Sequence, residues 1–165
     1  MERLQVSAKQ LGELALPYSC RRCFWVKANF KGKLPYQSFP GIFSSIDSYT
    51  KKSVGSWFKR HNNAPEWLGG LGRITNSINP PSSRKFFWDD DELDIKLNGS
   101  PDALFIRNDG KLVIVDFKTS KITGAQQKLM PLYEVQLNAY FMIAKMKGAE
   151  LGLPEPVELF LLYTE

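Results

Sequence analysis

The chain has 165 residues, of which 43% are hydrophobic, enough apolar material for one core and one domain. No apolar run is long enough to span a membrane, the opening Met1-Glu2-Arg3-Leu4-Gln5 has no secretory pattern, and two cysteines make no disulfide framework, so a reducing, cytoplasmic setting is expected. The net charge of +5 hides an asymmetry: residues 1–87 hold 14 Lys+Arg and 4 Asp+Glu (+10), residues 88–165 hold 8 and 13 (−5). A basic half joined to an acidic one suits a protein that grips a polyanion.

In chain order, residues 1–90 read as a basic part made of helices and loops, and residues 91–165 as an αβ core. Residues 7–16 read as a short helix capped by Ser7, with Leu11, Leu14 and Ala15 at helical spacing and Pro17 ending it. The segment Tyr18 to Lys27 interleaves basic and aromatic residues. Arg21 and Arg22 read equally well as contacts to nucleic-acid phosphates or as solvated charges, whereas Phe24 and Trp25 are expected in the core. Residues 31–50 are rich in Gly, Pro and Ser and read as a loop or short-helix connection. Ser44 to Lys59 fits a helix, with Ile46, Tyr49, Val54, Trp57 and Phe58 as candidate buried positions. Residues 62–82 read as loops, Arg84 to Trp88 as an edge strand or substrate-facing segment, and Asp89 to Glu92 as a solvated turn. Asp94 to Asn98 is expected to be the first strand of the sheet.

Ala103 to Arg107 and Lys111 to Val115, joined by Asn108-Asp109-Gly110, read as a β-hairpin. The second run is apolar on both faces and so should be a central strand covered on both sides. Asp116 comes where that run stops, and strand alternation puts Asp116 and Lys118 on one face with Phe117 on the other. Acidic side chains at strand ends are commonly just solvated. Two carboxylates brought together, however, repel and suffer desolvation, and a hard divalent cation relieves both. Asp102 and Asp116 are therefore candidate metal ligands for Mg2+ or Mn2+. Lys118 is the candidate group for steering a nucleophile or stabilising charge on phosphorus. Beyond Thr119-Ser120-Lys121, where Lys121 is a candidate phosphate contact, residues 122–130 read as a mobile linker. Leu132 to Lys147 reads as a helix that presents Gln136 and Tyr140 on one face, and Val157 to Tyr163 as a last strand.

Pro101-Asp102, thirteen residues, then Asp116-Phe117-Lys118 resembles the PD-(D/E)xK signature of the restriction-endonuclease-like superfamily. Gln136-Leu137-Asn138-Ala139-Tyr140 resembles the Gln-x-x-x-Tyr motif of its RecB-like branch, which includes CRISPR-associated RecB-like exonucleases, and Gly99 to Asp102 shares that branch's Gly-x-x-Asp form. The resemblance covers residues 95–163 well and the first 90 only loosely. It implies an α/β restriction-endonuclease-like core, a mixed central β-sheet flanked by helices, and metal-dependent hydrolysis of DNA of exonuclease type. Gln136 and Tyr140 would then face the metal site and position DNA or the lysine, and the Phe117 carbonyl would be a further ligand. RecB-like nucleases also carry a metal-binding histidine upstream of Gly-x-x-Asp, a place that His61 occupies here; the competing reading is a surface histidine at a helix end. The CRISPR-associated relatives hold an iron–sulfur cluster with one early and three late cysteines. The late ones are lacking, so Cys20 and Cys23 are expected to be free, buried thiols without a cluster. Two other readings stand beside DNA hydrolysis: a catalytically inactive nucleic-acid-binding or scaffolding protein on the same fold, and a nuclease acting on RNA.

Overall fold

A computed structural model describes residues 3–30, 41–119 and 124–164. The order of elements is β1 (Leu4–Ser7), α1 (Ala8–Glu13), α2 (Arg21–Asn29), α3 (Gly41–His61), β2 (Ile74–Ile78), β3 (Phe87–Asp90), β4 (Ile95–Asn98), β5 (Ala103–Arg107), β6 (Leu112–Thr119), α4 (Gly124–Gln127), α5 (Met130–Lys147) and β7 (Pro156–Thr164). The fold is α/β, with two mixed sheets flanked by helices.

β6 is the centre of the larger sheet, ordered β2-β5-β6-β7. It is antiparallel to β5 and parallel to β7, with α5 as the crossover between the two parallel strands. Every residue from Leu112 to Phe117 is buried, as its apolar run demanded. Leu112 and Ile114 pack with Leu137, Tyr140 and Ile143 of α5. Val113, Val115 and Phe117 pack on the other face, with Val54 and Phe58 of α3 and with Leu68 and Leu71. The hairpin loop holds Gly110 at φ 78°, where a side chain would be strained, and Arg107 ties the loop to β7 by pairing with Asp109 and Glu158.

The Asp94–Asn98 strand is present as β4, but it ladders with β1 and β3 in a separate three-stranded sheet. β1 and β2 lie where no strand was expected. β1 is four residues of mixed character, and β2 is Ile-Thr-Asn-Ser-Ile, polar in its middle and without alternation, so pairing rather than local propensity makes them strands. Asp89 and Asp90 likewise belong to edge strand β3 rather than to a turn.

Ser7 caps α1 as expected, in a capping box with Gln10: the Gln10 N–H donates to Ser7 Oγ at 3.2 Å, and Ser7 N–H donates to Gln10 Oε1 at 3.0 Å. α1 lies against α5 so closely that a Cβ on Gly12 would stand 2.4 Å from the Leu132 carbonyl oxygen. Gly12→Ala is therefore expected to destabilise the fold by about 1–3 kcal/mol, read as a lower urea midpoint, since backbone cannot yield as a side chain does.

Several expectations for the N-terminal half are corrected. Residues 21–29 form a helix, and Trp25 is 56% exposed while Phe24 is half-buried, because the face of α2 that packs inward centres on Ala28. Cys20 and Cys23 are free but exposed, not buried; Cys20 Sγ accepts the Cys23 N–H at 3.2 Å and so caps α2. α3 starts at Gly41, and of its candidate core positions only Val54 and Phe58 are buried, whereas Tyr49 is exposed and Ile46 and Trp57 sit near the surface. One stripe of a long helix meets β6, and those two positions are the ones on it.

Candidate active site

Asp102 and Asp116 meet where the hairpin ladder ends. Ala103 is paired with Val115, so the next step along the two strands sets Asp102 opposite Asp116, and such partners share a face with Cα atoms about 5 Å apart. Asp102 is fixed to the backbone on both sides of Asp116: its N–H donates to the Val115 carbonyl at 3.2 Å, and its Oδ2 accepts the Phe117 N–H at 2.8 Å. Lys118 follows two positions after Asp116 and pairs with Asp116 Oδ2. Its ammonium also lies 5.1 Å from the centroid of the Tyr133 ring, which shields it on one side.

Asp116 lies inside β6 rather than at its end, because the strand runs on to Thr119. Among the described residues, Asp116 and Gln136 are the buried polar or charged side chains, 2% and 5% exposed. Gln136 Nε2 donates to Asp116 Oδ1 at 3.1 Å and to the Tyr140 hydroxyl at 2.8 Å. The helical turn between Gln136 and Tyr140 thus supports Asp116 from α5. Burial raises the Asp116 carboxyl to about 6; the Lys118 ammonium opposes this and the Asp102 charge adds to it. Burial, and then the Asp116 charge, push the Tyr140 phenol up as well, so it stays a neutral hydroxyl.

Gly99 is explained by the same helix. A Cβ there would fall 2.4 Å from Tyr140 Cε1, so only glycine lets the segment before Asp102 pass over the tyrosine ring. Gly99→Ala is expected to push the Tyr140 ring aside and break its bond with Gln136, lowering Tm by several degrees; Tyr140→Ala in the same chain should recover part of that loss.

Not every predicted site residue comes to this place. His61 is exposed at the last position of α3, with its ring 4.2 Å from that of Trp57. Asp102 instead meets Lys51 of α3, Nζ to Oδ1 2.6 Å, and ten helical residues, about 15 Å, separate Lys51 from His61. The structure therefore leaves His61 outside the acid pair. Arg21 and Arg22 are exposed on the first turn of α2, and Lys121 lies outside the described residues. Lys51 and Tyr133 are the residues sequence reasoning missed. Tyr133 had a signal, standing three positions before Gln136 on the same helix face, but Lys51 had none, because nothing local says which helix crosses Asp102.

Among the described residues, no three His, Cys, Asp or Glu side chains gather into one metal site. A hard cation such as Mg2+ does not need three: one or two carboxylates suffice, with water and substrate phosphate completing its shell. Asp102 and Asp116 already attract the Lys51 and Lys118 ammonium groups, so the donor set fits a divalent ion.

A sheet-borne acid pair with a lysine beside it, backed by a helix, defines a restriction-endonuclease-like core. The chain belongs to the PD-(D/E)XK nuclease superfamily, whose family profile matches residues 48–165, from α3 to the end of β7. A comparison with curated proteins finds no match. Membership suggests a nuclease and implies a nucleic-acid substrate, and such nucleases generally use divalent ions like Mg2+.

Proposed function

We propose that this protein is a Mg2+- or Mn2+-dependent deoxyribonuclease of RecB-like, exonucleolytic type. The observation that carries hydrolysis is the buried Asp116 carboxylate, opposite Asp102 and paired with Lys118. An interior acid of this kind costs several kcal/mol of desolvation and is retained for what it binds. The RecB-like reading rests on Gln136 and Tyr140, which form one hydrogen-bonded unit against Asp116.

Asp102, Asp116 and the Phe117 carbonyl would hold the ion, which when bound supplies an activated water and screens the phosphate. The remaining work falls to side chains of this chain. Gln136 fixes the Asp116 rotamer, and Tyr140 fixes Gln136. Lys118 stands at the edge of the pair, 23% exposed, where its ammonium can meet the negative charge that builds on the phosphoryl oxygens. Tyr133 keeps that ammonium from swinging away.

End-labelled single- and double-stranded DNA and RNA, incubated with Mg2+, Mn2+ or EDTA, test the reading. Metal-dependent loss of label from DNA ends is expected. Selective loss of RNA would replace the substrate, and intact nucleic acid under every condition would favour the inactive binding protein. Gln136→Ala is expected to cut turnover about tenfold to a hundredfold while substrate affinity changes little, because it releases the carboxylate rather than the substrate.

A further inference from the structure

α3 carries a row of side chains that the acid pair does not use. Val54 and Phe58 face β6, and on the outer side of the helix Tyr49, Lys52, Ser56 and Lys59 follow one another at steps of three and four. That spacing stands them in one line over about 15 Å of helix. All four are exposed, Tyr49 to 73%. Two clefts run along the line, one of about 440 Å³ bordered by Lys52, Ser56, Lys59, Ser100 and Asp102, the other of about 430 Å³ bordered by Ser48, Tyr49 and Lys52. Lys52 borders both, so they adjoin, and the first opens onto Asp102.

We propose that this row is the binding track for a single nucleic-acid strand, with Lys52 and Lys59 on backbone phosphates and Tyr49 stacked on a base. It rests on the function proposed for the Asp102–Asp116 site, since it says how substrate reaches that site. Charge complementarity identifies the ligand: two lysines and a serine hydroxyl, spaced along a helix and bordering one cleft with Asp102, match a chain of phosphodiesters. The unpacked Tyr49 ring identifies strandedness. A strand whose bases are unstacked offers a face to such a ring, and a duplex keeps its base faces to itself. Lysines read phosphate as point charges, so the track is expected to be indifferent to sequence.

Fluorescence anisotropy of the full chain with a labelled oligothymidylate, and with a duplex of equal length, tests this in EDTA over a salt series. The wild type is expected to bind the single strand more tightly. Lys52→Gln with Lys59→Gln should weaken that binding at least about tenfold. It should also flatten the slope of log affinity against log salt by about 1.4, since each phosphate left without its lysine takes away about 0.7. Tyr49→Ala should weaken binding about tenfold and leave the salt slope alone. Wild-type hydrolysis of bis(p-nitrophenyl) phosphate with Mn2+ reports on the acid pair separately, and the Tm is expected to be unchanged in every variant, so that weaker binding is not a sign of unfolding. Tighter binding of the duplex, or unaltered single-strand binding in the variants, overturns the track. Failure of the wild type to hydrolyse the small ester would remove the nuclease reading, while the anisotropy comparison would still decide the track.

Discussion

Asp116→Asn is expected to lose at least about a thousandfold in cleavage rate and, at neutral pH, to be more stable than the wild type. The loss follows from the chemistry, since a neutral amide holds a divalent ion far more weakly than a carboxylate and lacks the charge that orients Lys118. The gain follows from burial. With its carboxyl raised to about 6 from 3.8, the folded chain holds a proton that the unfolded chain releases, and ionising Asp116 at neutral pH works against folding by about 3 kcal/mol. That cost is already net of the Lys118 attraction; the amide removes it and keeps an oxygen for Gln136 but sets an N–H2 group beside the Lys118 ammonium, so a gain of about 1–2 kcal/mol is expected in urea unfolding. Lys118→Ala should lose about a hundredfold to a thousandfold in cleavage without the gain in stability. A variant at position 116 that is inactive and also destabilised would show that the carboxylate supports the fold rather than the reaction.

Metal affinity is expected to rise steeply with pH up to about 6 and level off above it. The sign comes from competition for one carboxylate: below its raised pKa of about 6 Asp116 is protonated, and a proton must leave before an ion can bind. Each pH step below that point should weaken Mg2+ or Mn2+ binding by up to about tenfold, measured by calorimetry. Metal-free stability should run the other way, falling as pH climbs from about 4 to about 6, since over that window the native state binds more protons than the unfolded one. Both trends should vanish in Asp116→Asn. EDTA should abolish cleavage at every pH, and excess Mg2+ should raise Tm at neutral pH but not in acid.

Much of the acidic half was legible from residues alone because its signals are local. The aliphatic run Leu112 to Val115 announces a strand buried on both faces, Asn-Asp-Gly a tight loop, and the spacing of Gln136 and Tyr140 a shared helix face. Strand alternation also assigns Asp116 and Lys118 to one side, where Lys118 does pair with Asp116. A two-residue period and a 3.6-residue period are properties of the backbone, so they need no neighbours to be read.

What lies across the chain was not legible. That β4 joins β1 and β3, that Trp25 stays in solvent, and that α3 delivers Lys51 rather than His61 to Asp102 all depend on which helix face meets which strand. Sequence determined the strand, the turn and the acid–lysine spacing of this protein, since each is written in adjacent residues. Tertiary structure decided the company those residues keep, because contacts between distant segments follow from how all the apolar faces are buried together, and no single segment contains that information.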